Sequence, residues 1–372
     1  MKMESGRQES RSKMKYPYLI YSDVHFHNWS AFSEVLPNGL NSRLQTALNE
    51  YERAYDALFD AGGNQAFNAG DTFHVRGKIE PSVFNPVVTT TADIHCKYTE
   101  LRTDAVPGNH DLEGKHADEL GNAMQSLGNI EGYTVHTKVR LCGDVLMVPW
   151  FQDLDELRAI LAHWSLDSTL GRAAERIDVI IHAPMNGVIK GIPDHGLEAR
   201  ELAAYGFRRI FCGHYHDYKV FEHGKVVSVG AAQHQTWGDP GSLAGFLLVY
   251  EDRIEHHATK APLFVDLHHS EVADEHELAA AVKGNYVRFK TTSATEEEKR
   301  ALDAELRGYG ALGVNIITEG KKAVTRTGTT VSASKTLEAS TGEYVENVLK
   351  PKYVPETQKL CAELLAQARS AA

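Results

Sequence analysis

Five short runs, each placed where an apolar stretch stops, constrain this chain more than anything else in it. They are Ser22-Asp23-Val24-His25, Gly70-Asp71, Gly108-Asn109-His110-Asp111, Ile181-His182 and Gly213-His214-Tyr215-His216. Apolar segments that end in polar, titratable side chains read as buried strands delivering those side chains to one rim of a sheet. Together the runs offer carboxylates, one side-chain amide and several imidazoles. That mixture of donors can hold two divalent cations a few ångströms apart, the arrangement used to cleave phosphate esters.

Taken singly, each run has an ordinary reading. Asp23-Val24-His25 would put a carboxylate and an imidazole on one side of an extended strand end; a capping Asp beside a surface His would look the same. Gly70-Asp71 is a turn, or a bridging carboxylate with two oxygens and a glycine small enough for close approach. Gly108-Asn109-His110-Asp111 is an exposed turn, or an amide oxygen for a hard cation with an imidazole beside the scissile phosphate. His182 after an apolar strand is a satisfied core histidine, or a ligand. Gly213-His214-Tyr215-His216 again aims two imidazoles one way along an extended segment. Their conjunction, in one order and at comparable positions, favours a shared two-metal site.

The connecting stretches supply a scaffold. Strands are expected over residues 18–22, 65–69, 103–106, 145–149, 177–181 and 210–212, and helices over 41–60, 81–101 and 197–205. Asn41 is placed to cap the first helix. Residues 219–221, 226–229 and 246–250 look like a closing antiparallel set. Strand–helix alternation with active residues at strand ends argues a layered α/β core. After about residue 258 a smaller α/β unit follows. It has strands at 285–290 and 313–318, and Thr295 and Glu298 form a capping box for the helix between them. A polar stretch at 321–334 and a last helix at 355–369 complete the chain. The expected organisation is a tail over 1–15, a catalytic domain over 16–258, a capping domain over 259–335 and a helical tail over 336–372.

Bulk properties agree with a soluble globular protein: 372 residues, 42% hydrophobic and 24% charged. No run is apolar enough to span a bilayer, and the first fifteen residues lack the apolar block of a secretory signal. Four well-separated cysteines form no paired spacing, which suits reduced thiols in a cytoplasmic protein (host cytoplasm if the source is viral). The formal charge of −11 is unusual for a partner of nucleic acid. Two cations beside two Asp ligands would leave the site itself at about +2, so a phosphodiester is still attracted locally.

The set D-x-H, G-D, G-N-H-D, H, G-H-x-H resembles the signature of the calcineurin-like metallophosphoesterases. Gly70-Asp71-Thr72-Phe73-His74 departs from the common G-D-x-x-D form and is similar to the G-D-x-F-H form of SbcD-type double-strand-break repair exonucleases. Residues 230–238, with Gln233, Trp237 and the following Asp239, resemble the segment after G-H-x-H in that group. The resemblance covers residues 17–250 well. It implies an α-β-β-α layered sandwich with a small C-terminal α/β cap. It also implies one cation on Asp23, His25, Asp71 and His216, and another on Asp71, Asn109, His182 and His214. His110 would stabilise the transition state or protonate the leaving oxygen, and His74 would help place the DNA phosphate. His27 has no clear counterpart; it either supports a ligand or faces solvent.

The activity implied is in-line hydrolysis of DNA phosphodiesters, as an exonuclease and on single strands as an endonuclease, without a covalent enzyme intermediate. Manganese suits the mixed N and O donors best, with iron or zinc as alternatives. Arg288, Lys290, Lys321, Lys322 and Arg326 are candidates for DNA-backbone contacts; a solvated surface charge is the other reading of each. The last helix either docks an SbcC-type ATPase or packs on its own domain, and a homodimer is a further option. The competing function is a phosphoesterase for a small nucleotide or cyclic nucleotide, which would use every one of the same ligands. A non-catalytic scaffold with a vestigial site is the remaining class.

Overall fold

The computed structural model describes residues 16–74, 76, 78–166, 173–189, 191, 195–270, 274–318 and 354–370. The elements begin with β1 (Tyr18–Tyr21), α1 (Ser42–Asp60), β2 (Gln65–Asn68), α2 (Pro81–Lys97), β3 (Arg102–Ala105) and β4 (Tyr133–Val135). Next come β5 (Arg140–Cys142), β6 (Val145–Val148), α3 (Leu154–Leu166), β7 (Asp178–His182), α4 (Ala199–Ala204) and β8 (Arg209–Gly213). They are followed by β9 (Lys219–Phe221), β10 (Val226–Ser228), β11 (Gly245–Val249) and β12 (Ile254–Ala258). The last are β13 (Phe264–His268), α5 (Glu275–Val282), β14 (Tyr286–Thr291), α6 (Glu296–Gly308), β15 (Gly313–Thr318) and α7 (Val354–Ser370).

Two six-stranded sheets stack face to face. The first runs β12-β11-β1-β2-β3-β4 and the second β5-β6-β7-β8-β10-β9. Side-chain alternation along β1 shows why they stack. Leu19 and Tyr21 join the layer between the first sheet and its helices, with Leu44, Tyr51, Tyr55 and Val87. Tyr18 and Ile20 point the other way, into the layer between the sheets, with Phe67, Met147, Ile180 and Phe211. On the far side of the second sheet, Val179 and Ile181 pack with Leu157 and Leu161 of α3 and Leu202 of α4. Strands covered on both faces are apolar along their middles, and β1, β6, β7 and β8 are fully buried, with Asp178, His182 and Arg209 at strand ends. The result is the expected mixed α/β, α-β-β-α sandwich.

Helix α1 follows from its sequence. Asn41 accepts from the amides of Arg43 and Leu44, satisfying first-turn donors. Leu44, Ala47, Leu48, Tyr51, Ala54, Tyr55 and Leu58 then form one buried stripe at helical spacing. Helix α2 stops at Lys97, four residues before the expected end. Tyr98 leaves the helical backbone and stacks its ring on Phe59 at 3.6 Å.

The closing antiparallel set is corrected. β9 does pair antiparallel with β10, but β10 is parallel to β8, and β11 crosses to the other sheet to pair antiparallel with β1. Adjacency in sequence did not mean adjacency in one sheet. β11 carries Phe246, Leu247 and Leu248, which fill layers on both faces of the first sheet.

A three-stranded parallel sheet, β13-β14-β15, carries α5 and α6. Leu278, Val282, Val287, Phe289 and Leu306 form its core. The capping box is present: Thr295 accepts from Glu298 N, and the Glu298 carboxylate accepts from Thr295 N at 2.7 Å. By contacts the chain separates into two units, residues 1–319 and 320–372. In the second, α7 is the described part, with Leu360 and Leu364 exposed. Lys321, Lys322 and Arg326 lie outside the described residues.

Candidate metal centre

The five runs converge. β1, β2, β7 and β8 end near one another, and the loops beyond them are stitched together by backbone hydrogen bonds. The 23–26 loop lies along the 70–72 loop through Asp23 N to Gly70 O, His25 N to Asp71 O and Phe26 N to Thr72 O. These loops are not the extended strand ends that period-two spacing predicts. Asp23, His25 and Asp71 all take left-handed backbone conformations, with φ of 50°, 49° and 53°, and His214 has φ of 106°. Residues with side chains rarely adopt such angles, and clusters of them mark sites where surrounding structure over-determines the backbone. Gly70, at φ 100°, sits so close to the cluster that a Cβ there would lie 2.5 Å from His182 Nδ1.

Two groups of donors result: Asp23, His25 and His216, and Asp71, His182 and His214. In each, one ligand atom per residue lies within 4.8 Å of the others. Asp71 Oδ2 connects them, at 3.6 Å from His25 Nε2 and 3.3 Å from His182 Nε2. Its other oxygen accepts the backbone N–H of His110 at 2.8 Å. One oxygen, rather than two, therefore faces both groups. Asn109 Oδ1 lies 3.1 Å from His182 Nε2 and 2.9 Å from His214 Nδ1, which places the amide with the second group. His216 Nε2 lies 3.3 Å from His25 Nε2. All seven expected ligands thus meet at one place.

The outer nitrogens are held. His182 Nδ1 contacts Ala69 O at 2.8 Å, and His216 Nδ1 contacts Asp239 Oδ1 at 2.9 Å, leaving each Nε2 facing inward. The second Asp239 oxygen accepts from the amides of Gln235 and Thr236, and Gln235 Nε2 donates to Asp23 O at 2.7 Å. Asp239 and Gln235 are thus supports whose roles sequence reasoning missed, although Asp239 stood in the quoted motif. Asp111 was also passed over. Buried, it accepts from Gly108 N and Phe73 N, each at 2.9 Å, and so ties the 108–111 turn to the 70–74 loop. Trp150 carried no signal in sequence; its ring stacks on His214 with centroids 5.4 Å apart and walls the second group.

His110 and His74 border the cluster. His110 Nδ1 contacts His74 O at 2.5 Å, so its proton sits on Nδ1 and Nε2 is the atom left for chemistry. His74 Nδ1 stands 3.4 Å from His25 Nδ1 and its ring stacks on that of His110. It therefore touches one expected ligand and the expected acid. His27 is half-buried, with its ring beside those of Trp29 and His74. Arg288 is placed elsewhere: it forms a two-pronged pair with Asp266, which Lys290 joins, and it lies over the Trp237 ring.

Electrostatics fit cations. Burial pushes the Asp71 carboxyl up, but the imidazoles of His182 and His25 outweigh it and hold the group well below the usual carboxylate range. Burial likewise lowers His182, yet the Asp71 carboxylate beside it raises the imidazole to about 9. His214 is pushed down to about 4 by burial and by His182, keeping its lone pair free. Asp23 Oδ1 is buried and accepts no hydrogen bond, although it is 3.7 Å from His25 Nε2. A desolvated carboxylate oxygen without a partner is costly, and a divalent cation among Asp23, His25 and His216 would satisfy it. The donor set therefore fits a dinuclear metal centre.

Among the described residues no helix is long and apolar enough to cross a membrane. No curated protein matches this chain. Among solved structures, a dimetal phosphatase from Danio rerio is similar over 64% of this chain and 94% of its own, at 11% identity and a TM-score of 0.37. A nuclease, MPE, from Pseudomonas putida is similar over 62% of this chain and 84% of its own, at 15% identity and a TM-score of 0.26. The family model described as calcineurin-like phosphoesterase matches residues 16–218, the span that holds all seven converging donors. That is more than half of the chain, and the protein accordingly belongs to the calcineurin-like phosphoesterase family.

Proposed function

We propose that this phosphoesterase is an SbcD-type DNA nuclease, removing nucleotides from DNA ends and nicking single strands. The observation that carries the reading is His74. It is the residue that replaces the last Asp of G-D-x-x-D, and it lies against both His25 and His110 at the border of the metal centre. A residue so placed meets the phosphate, or the groups acting on it, rather than distant parts of the substrate.

Asp23, His25, Asp71 and His216 would hold one divalent cation, and Asp71, Asn109, His182 and His214 the other, with manganese the best match to the donors. Such a pair, when bound, activates water for in-line attack on phosphorus and neutralises charge on the phosphoryl oxygens. The chain's own groups do the rest. Ala69 O and Asp239 fix the imidazoles of His182 and His216 so that no reorganisation is needed during the reaction. His110 acts once it has taken up a second proton at Nε2: it gives that proton to the leaving oxygen and returns to the neutral ring, while His74 O keeps its Nδ1 proton in place. His74 aligns the DNA phosphate and orients His25 from behind. The parallel three-stranded unit over residues 264–318 acts as the cap. A cytoplasmic ATPase of the SbcC type, or a second copy of the chain, is the partner that this reading assigns.

The test uses end-labelled linear duplex, circular single-stranded DNA and a small aryl phosphodiester, each with manganese. His74→Ala should lower digestion of linear duplex on the order of 10²-fold more than hydrolysis of the small ester. Equal losses on both would point to the small-nucleotide phosphoesterase. Absence of DNA cleavage by the intact chain, with the aryl ester still hydrolysed, would remove the nuclease reading.

A further inference from the structure

Away from the metal centre, three side chains of different donor chemistry meet at one edge of the sandwich. Asp104 lies in β3, His136 directly follows β4, and Cys142 ends β5. The first two come from one sheet and the third from the other, so the group straddles the layer between them. Relative exposures are 1%, 7% and 6%. His136 Nε2 stands 2.7 Å from Asp104 Oδ1 and 3.4 Å from Cys142 Sγ, and the three donor atoms lie within 4.8 Å of one another. The layer around Cys142 is otherwise apolar, with Val106, Val145 and Met147 among its members.

One imidazole nitrogen faces both partners. In a nucleophilic Cys–His–Asp arrangement the carboxylate takes one ring nitrogen and the sulfur the other, so that the acid orients the base. Here both meet Nε2, and that relay is not available. A ring nitrogen set between a carboxylate oxygen and a sulfur, all three within 4.8 Å of one another, is instead the geometry that a shared cation organises once it replaces the proton on that nitrogen. Oxygen, nitrogen and sulfur together are a poor set for magnesium or calcium, which prefer oxygen alone, and a good one for zinc. Zinc bonds of about 2.0–2.3 Å separate tetrahedral donors by roughly 3.2–3.8 Å. The nitrogen–sulfur spacing already matches, and the Asp104 oxygen would withdraw by about half an ångström.

We propose that Asp104, His136 and Cys142 form a third metal site, for zinc, which ties β3 and β4 of the first sheet to β5 of the second. It is loaded as the chain folds and takes no part in hydrolysis.

None of the ligands assigned to the dinuclear centre is a cysteine, so a sulfur signal reports on this site. In the full chain loaded with cobalt(II), the proposal expects sulfur-to-cobalt charge-transfer absorption in wild type and in Asp71→Asn. It expects loss of that band in Cys142→Ser and in His136→Gln, with bound zinc falling by about one equivalent per chain. X-ray absorption at the zinc edge of the wild type, which needs no variant to fold, should find one sulfur neighbour. A sulfur-free zinc shell, no cobalt–thiolate band in folded wild type, or a band that persists in folded Cys142→Ser would each overturn the proposal.

Discussion

The two sheets contribute unequally to the metal centre. Loops leaving the first sheet carry Asp23, Asp71 and Asn109, every oxygen donor of the cluster, with His25 as its one ligand imidazole. The second sheet carries His182, His214 and His216, imidazoles only. The backbones differ in the same way. Three donors of the first sheet sit in left-handed conformations, against one in the second. The first sheet thus supplies negative charge on strained loops, and the second supplies imidazoles close to regular strand ends. The lesson is that charge in such a centre is set by one half of the sandwich and geometry by the docking of both.

The strongest way to break this comparison is Asp71→Asn. It removes charge from the oxygen facing both groups while keeping the acceptor for His110 N. Turnover should fall by about 10³-fold or more, and metal analysis should show both cations weakened. A variant that keeps normal manganese-dependent activity would refute the connecting role. His110→Ala separates chemistry from binding on the same sheet. It should cost on the order of 10²–10⁴-fold in kcat and leave metal content unchanged; loss of metal would make it a ligand.

Asp239→Asn probes the second sheet, where the carboxylate supports the imidazole of His216. The expected loss is about 10–100-fold in metal affinity, confined to the cation held by His216. The mildest test concerns the layer behind the first sheet. His95, buried beside Tyr55 and Tyr133, is pushed down to about 4 by burial, with Arg102 adding to the shift. Its unfolded value is near 6.5. The unfolded chain therefore takes up a proton first as pH falls. Stability is fully present above 6.5 and is lost progressively on the way down to about 4. Urea unfolding of His95→Gln should show a shallower loss between these limits, with activity at neutral pH unchanged.

Much of this was legible in the amino-acid order. The five runs at the ends of apolar stretches, three of them opened by Gly70, Gly108 and Gly213, are local signals, and together they contain all seven donors. The α1 stripe and the Thr295–Glu298 cap are local too. What escaped was non-local or conformational. Period-two spacing put Asp23 and His25 on one side of a strand, yet their shared direction comes from left-handed loops held against residues 70–72. The strands β4 and β5 are three residues each and carry no periodic pattern of their own. Trp150 and Asp239 act across tertiary contacts, to His214 and His216, that no spacing encodes. The fate of β11 depended on a partner more than two hundred residues away.

That last pairing bears on how the protein is made. β1, the first strand among the described residues, is flanked by β2 on one side and by β11 on the other. A ribosome must therefore finish residues 245–249 before the oldest part of the fold loses its open edge. By then His216 has already been synthesised. Until β11 emerges, a nascent chain has made every donor while β1, paired with β2 alone, keeps one edge open, and the segment that closes it contributes no ligand at all.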